Sequence, residues 1–96
     1  LAYDIADRMR LNRANAANYV SNYTVPANIP TGCALATGAN AANDLSCWRL
    51  QLFNTIPPGS VADVSVNAGN PTMYDVTINW ADREGTNRAV QYTFQP

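Results

Sequence analysis

The chain has 96 residues, 47% hydrophobic and 14% charged, which fits one small domain spanning 1–96. Its net charge is −1, with six scattered Arg and no Lys, so binding to a nucleic-acid backbone is not expected. No apolar run reaches about 18 residues, so no membrane-spanning segment is predicted in this sequence. A signal peptide is also absent, as in a mature or trimmed chain.

The first predicted element is a helix over 1–20. Its apolar residues recur with helical spacing and are expected to face the core: Ala2, Ile5, Ala6, Met9, Ala16 and Val20. The opposite face is polar and contains Asp4, Asp7, Arg8, Asn15 and Asn18, with Leu11 among them. The spacings Asp4–Arg8 and Asp7–Arg10 suit ion pairs on an exposed helix face. No capping residue precedes Leu1, which is the pattern of a helix that continues from an earlier segment.

A connecting loop is predicted over 21–39, with Tyr23, Val25 and Ile29 as anchors on the core. Cys33 and Cys47 are predicted to form a structural disulfide, which would stabilise the fold by about 3 kcal/mol. A zinc site would lack His ligands, and a redox pair would more typically be Cys-x-x-Cys. Two buried free thiols are the remaining alternative. A disulfide would place the protein in the periplasm or outside the cell.

A second helix is predicted over 40–56, beginning at Asn40 or Asn43 as the N-cap. Leu45, Trp48, Leu52 and Ile56 follow helical spacing, and Pro57 with its neighbours ends the helix. After these two helices, only strands are predicted.

Three strands are predicted, over 60–66, 73–80 and 89–94, because apolar and polar residues alternate there. Their inward-facing residues are expected to include Val64, Val76, Ile78, Trp80, Val90, Tyr92 and Phe94. The predicted fold is therefore α+β: two helices packed on a three-stranded antiparallel meander, with four strands as the alternative.

Catalysis is not expected, because the chain has neither His nor Lys to activate a nucleophile. Asp82 and Glu84 lie in a turn over 82–87, where solvated charge is the default and a glycosidase pair is disfavoured. The same turn lacks EF-hand spacing for calcium. Trp48 and Trp80 could form a sugar platform, but both fall on predicted apolar faces. No cofactor or metal site is predicted.

Several segments together resemble one family of proteins. Ala2 through Asn12 match a pattern of the form (L/A)-x-D-(I/L)-A-x-R-(M/I)-R-x-N, and a Cys-containing loop leads into Asp44, Leu45 and Trp48. Val76, Ile78, Trp80 and Asp82 follow as V-x-I-x-W-x-D. In this order the segments resemble the PilV family of type IV minor pilins, the type IV pilus modification proteins.

The resemblance implies a type IV pilin fold, in which an N-terminal helix packs on an antiparallel sheet. It implies a non-catalytic subunit that joins other minor pilins and the major pilin in a tip complex, which primes pilus assembly and supports a tip adhesin. An apolar half-helix preceding Leu1 would anchor the subunit in the inner membrane before it enters the extracellular pilus. The expected partner interface is the outward helix face: Tyr3, Asp4, Asp7, Leu11, Asn15 and Asn18.

Three other functions remain as hypotheses. A type II secretion pseudopilin would share the fold but serve a secretion machine. An adhesin would recognise glycans through the loop over 21–39, and a small secreted enzyme is disfavoured by the missing catalytic bases.

Overall fold

A computed structural model describes residues 1–25, 33 and 40–96. Two α-helices, α1 (Ala2–Leu11) and α2 (Ala41–Thr55), and a 3₁₀-helix (Arg13–Tyr19) pack on a four-stranded antiparallel sheet. The strands are β1 (Ser21–Thr24), β2 (Val61–Val66), β3 (Tyr74–Ala81) and β4 (Asn87–Phe94), and their order in the sheet follows the chain. The predicted α+β class is confirmed, and the sheet has the four strands of the alternative prediction.

The first helix is shorter than predicted. The α-helical conformation ends at Leu11, and Asn12 leaves it with φ −130° and ψ 41°. The Asn15 side chain donates to the Asn12 side-chain oxygen at 2.9 Å, and the Asn15 backbone is itself not helical. Asn side chains compete for such local hydrogen bonds and weaken a helix, so the segment over 13–19 forms a 3₁₀-helix instead. The prediction of one helix over 1–20 was wrong.

The segment after this 3₁₀-helix is a strand rather than a loop. β1 pairs with β2 in antiparallel register, with Ser21 opposite Val64 and Thr24 opposite Val61. Tyr23 and Val25 are buried, as the sequence predicts, and the Val25 N–H donates to the Ser60 carbonyl at 2.9 Å. The third predicted anchor, Ile29, lies outside the described residues.

The second helix begins where the sequence predicts. The Asn43 N–H donates to the side-chain oxygen of Asn40 at 2.7 Å, which makes Asn40 the N-cap. Ile56, directly before Pro57, is extended (φ −116°, ψ 153°) and ends the helix. Cys33 and Cys47 form the predicted disulfide, which ties α2 to the preceding segment.

The core lies between the helices and the inner face of the sheet. Most of the predicted core residues are buried there: Ile5, Met9, Leu45, Trp48, Leu52, Val64, Val76, Ile78 and Phe94. Trp80 and Tyr92 are half-buried and pack against the core from its margin. Val90 is 45% exposed, which corrects its assignment to the core. Trp80 lies on β3, and Tyr92 and Val90 lie on β4.

Candidate partner-binding surface

The outward face of α1 is the candidate surface. Tyr3 is 66% exposed and Leu11 is 68% exposed, and Asp7 lies between them in the sequence and is also exposed. Helical spacing places these three side chains away from Ile5 and Met9, which are fully buried against the sheet. The helix therefore uses one face for its own core and leaves a mixed apolar and charged face open to solvent.

An aromatic contact joins this surface to β4. The rings of Tyr3 and Tyr92 meet edge to face, with 4.6 Å between their centroids, and Tyr92 stacks on Phe94 at 5.5 Å. Arg10 donates to the Tyr92 hydroxyl at 2.9 Å and to Asp7 at 2.8 Å. The Tyr92 hydrogen bond is the main cause of the raised pKa of the Arg10 guanidinium. The outer face of α1 and the edge of the sheet thus form one continuous surface.

The other flank of α1 faces α2 and carries a buried polar cluster. Arg8 donates to Asp44 at 3.0 Å and to Asp4 at 3.3 Å, so the predicted Asp4–Arg8 pair is present. The Tyr19 hydroxyl donates to the second carboxylate oxygen of Asp44, and the Asn12 amide donates to the Tyr19 hydroxyl at 3.2 Å. Burial, with the Asp44 hydrogen bond, raises the pKa of Tyr19 to about 12.

The position of Arg8 differs from the prediction, and its partners Asp44 and Tyr19 were not predicted. The sequence placed Arg8 on the exposed polar face, but Arg8 is buried between α1 and α2. Asp44 and Tyr19 are also buried, and only the helix-to-helix packing brings them to Arg8. Asp44 lies in the first turn of α2, a position that favours acidic residues through the helix dipole alone, so its place in the chain does not reveal the contact with Arg8.

Asn15 and Asn18, two predicted interface residues, do not extend the α1 face. Both are exposed, but they belong to the 3₁₀-helix, whose tighter turns place side chains in other directions. Asn18 lines a groove with Asn40, Ser46 and Arg49 on the α2 side of the molecule. Asp4 is only partly exposed because it pairs with Arg8. The structure therefore brings together Tyr3, Asp7 and Leu11, and leaves Asn15 and Asn18 apart from them.

An apolar cleft of about 250 Å³ opens beside the start of α1. Its lining consists of Leu1, Ala2, Ile56, Ile78, Trp80 and Val90. Leu1 and Val90 are the exposed members of this set. Trp80 and Val90 both line this cleft, and both are more exposed to solvent than the sequence predicts.

Asp82, one of the two carboxylates in the turn over 82–87, is hydrogen-bonded within that turn and to β4. Both oxygens of Asp82 accept hydrogen bonds, from the Glu84 and Thr86 N–H groups at 2.9 and 3.0 Å and from Arg88 at 3.1 Å. The backbone hydrogen bonds lower the pKa of Asp82, with that from Thr86 as the largest cause. Asp82 therefore holds the turn between β3 and β4.

Trp48 cannot join Trp80 in a sugar platform. It is fully buried, and its indole N–H donates to the Leu1 carbonyl at 2.8 Å.

Over 1–25 and 40–96, with Cys33, no group of three or more His, Cys, Asp or Glu residues is placed to hold a metal ion. Within the same residues no helix has the length and apolar character needed to cross a bilayer.

No known protein family, curated protein or solved structure matches this chain.

Proposed function

We propose that this chain is a non-catalytic minor pilin of the type IV pilus, which assembles with other minor pilins and the major pilin at the pilus tip. Before assembly the subunit is located at the periplasmic face of the inner membrane, and it then enters the extracellular pilus. The proposal is supported by the packing of the first helix on an antiparallel meander, together with the resemblance of several sequence segments to the PilV family.

The observation that carries the proposal is the two-sided character of α1. Ile5 and Met9 are fully buried on one side, while Leu11 and Tyr3 are about two-thirds exposed on the other. A single exposed Leu is common on protein surfaces. Here it lies on a helix whose open face also has an exposed Tyr and an exposed ion pair between Asp7 and Arg10. Such a mixed surface suits packing against another protein better than binding a small substrate.

The substitution Leu11→Glu tests this surface. Because Leu11 is 68% exposed, the change should leave the melting temperature of the protein nearly unchanged. Within an assembled interface the carboxylate would be buried without a partner, which is costly. Co-purification with other pilus subunits from the native cells should therefore fall, and surface piliation should fall with it.

The matched control is Phe53→Glu, which adds the same charge at an exposed apolar residue of α2. We expect Phe53→Glu to leave both co-purification and piliation unchanged. Normal assembly by Leu11→Glu would remove the outer α1 face from the interface. Co-purification with secretion pseudopilins in place of pilus subunits would favour the type II secretion hypothesis, and binding on a glycan array would favour the adhesin hypothesis.

A further inference from the structure

The two edges of the sheet differ in how well they are protected against strand pairing. β1, at one edge, has four residues, whereas β4, at the other, has eight and pairs with β3 over its whole length without a bulge. Proteins commonly protect an edge with short strands, charges, Pro or bulges. β4 has no Pro, and its one charged residue, Arg88, lies near its start and pairs with Asp82 at 3.1 Å. Among the described residues, no strand covers its outer side.

The hydrogen bonds of the β3–β4 turn show which backbone groups of β4 point outward. The Asp82 N–H donates to the Thr86 carbonyl at 2.9 Å, so these two residues form a hydrogen-bonded pair. Hydrogen-bonded and non-hydrogen-bonded pairs alternate along an antiparallel ladder. Along the observed register, the pairs that exchange hydrogen bonds with β3 are therefore those of Arg88, Val90, Tyr92 and Phe94. The N–H and C=O groups of the other β4 residues point to the open edge: Asn87, Ala89, Gln91 and Thr93.

The turn between β2 and β3 leads to the same assignment of inward and outward backbone groups. The Asn67 N–H donates to the Met73 carbonyl at 2.9 Å, and alternation from that pair assigns Asp75, Thr77 and Asn79 to hydrogen bonding with β2. A β3 residue bonded to β2 cannot also be bonded to β4, which agrees with the assignment above. The open edge of β4 thus presents four regularly spaced donor and acceptor pairs.

We propose that β4 pairs with β4 of a second copy of this chain, in antiparallel orientation about a twofold axis at Val90. A twofold axis perpendicular to the sheet keeps each side chain on its own face of the sheet. Val90, which is 45% exposed in the single chain, then contacts Val90 of the second copy. In this register Asn87 lies opposite Thr93 of the second copy, and Ala89 lies opposite Gln91 of the second copy. The outward backbone groups of all four residues are then hydrogen-bonded, and about eight hydrogen bonds form between the copies.

Charge and packing favour a second copy as the occupant. The net charge of −1 gives little repulsion between copies. The register places Arg88 opposite Tyr92 of the second copy, so that no like charges face each other directly. The α1 helix of each copy contacts β3 and β4 on the same face, so the two helices lie on either side of the new seam with Tyr3 beside it. The inference goes beyond the proposed function, because it concerns this chain alone.

Sedimentation equilibrium tests the proposal on the purified chain without other pilus subunits. The β4–β4 pair and the neighbouring parts of the two α1 helices bury less surface than the roughly 1,200 Å² of a standard interface. We therefore expect a dimer that dissociates on dilution. Between about 1 µM and 1 mM, the concentration range of weak complexes, the mass should rise from 10.4 kDa toward twice that value. Amide exchange of Ala89, Gln91 and Thr93 should slow as dimer forms, while Val90 and Tyr92 should stay protected throughout.

Two variants make the test specific. Gln91→Pro removes an outward N–H that β3 does not use, and should weaken dimerisation at least about tenfold without unfolding the chain. Gln91→Thr keeps the N–H and should dimerise like the wild type. Val90→Glu would oppose two carboxylates across the axis and should also give a monomer. A wild-type mass of 10.4 kDa at every concentration, or dimerisation unchanged by both Gln91→Pro and Val90→Glu, would overturn the proposal.

Discussion

The Arg8 guanidinium lies 3.0 Å from the Asp44 carboxylate, although the two residues are 36 positions apart in the chain. Only 10% of the Arg8 side chain and none of the Asp44 side chain is exposed to solvent. Tyr19 donates to the other Asp44 oxygen, so three separate elements meet at one carboxylate. Removing two charges from water is expensive, and this hydrogen-bonded arrangement offsets the cost. The pair therefore fixes the relative position of α1 and α2.

Replacing Asp44 with Asn should destabilise the protein severely. The change leaves the Arg8 charge buried without its main counter-ion, and breaking a buried pair from one side costs about 3–5 kcal/mol. That is a large part of the stability of a small domain. Urea unfolding followed by circular dichroism measures the loss directly.

Asp7→Asn is the matched control, because it removes one carboxylate from the exposed Asp7–Arg10 pair on the same helix. Exposed pairs contribute about 0–1 kcal/mol, so this variant should unfold close to the wild-type midpoint. Equal losses in Asp44→Asn and Asp7→Asn would show that the buried pair adds nothing beyond a surface contact.

Stability should fall as the pH rises from about 10 to about 12. Burial and the Asp44 hydrogen bond raise the pKa of Tyr19 from 10.0 to about 12 in the folded protein. The unfolded chain therefore loses this proton first, so the stabilisation is complete below pH 10 and is lost through this window. The loss for this one group is about 2–3 kcal/mol at its limit. Urea midpoints measured at intervals across the window give the slope.

Tyr19→Phe is the control for this pH dependence. The variant lacks the hydroxyl that titrates, so it should be less stable at neutral pH yet lose less stability above pH 10. A wild-type slope that persists in Tyr19→Phe would assign the alkaline transition to other groups.

Local patterns predicted α2 and the three longer strands well. The Asn40 cap and the Pro after Ile56 bound α2, and alternation alone places β3 within one residue at each end. These signals lie inside each segment, so no knowledge of the fold is needed. The same holds for the outward Tyr3, Asp7 and Leu11, whose exposure follows from helical periodicity.

Other features depend on contacts between distant segments. β1 has only four residues and is defined by its register with β2, which no local pattern reveals. Arg8 is buried because Asp44 approaches from another helix. Val90 alternates like a core residue, but whether it is buried depends on how far α1 extends over the sheet margin. Periodicity gives the direction of a side chain, whereas its burial depends on what covers it.

Trp48 and Trp80 allow a test of this difference between direction and burial. The sequence predicts that both face the core, but the structure buries Trp48 fully and Trp80 only in part. Trp48 is fully buried and its indole N–H donates to the Leu1 carbonyl, so Trp48→Ala should cost about 3–5 kcal/mol. Trp80 is half-buried beside the apolar cleft, so Trp80→Ala leaves no closed cavity and should cost about 1–2 kcal/mol. Urea unfolding of both variants, compared at one temperature, gives the two losses. If Trp80→Ala unfolds as readily as Trp48→Ala, the sheet margin is covered and Trp80 belongs to the core after all.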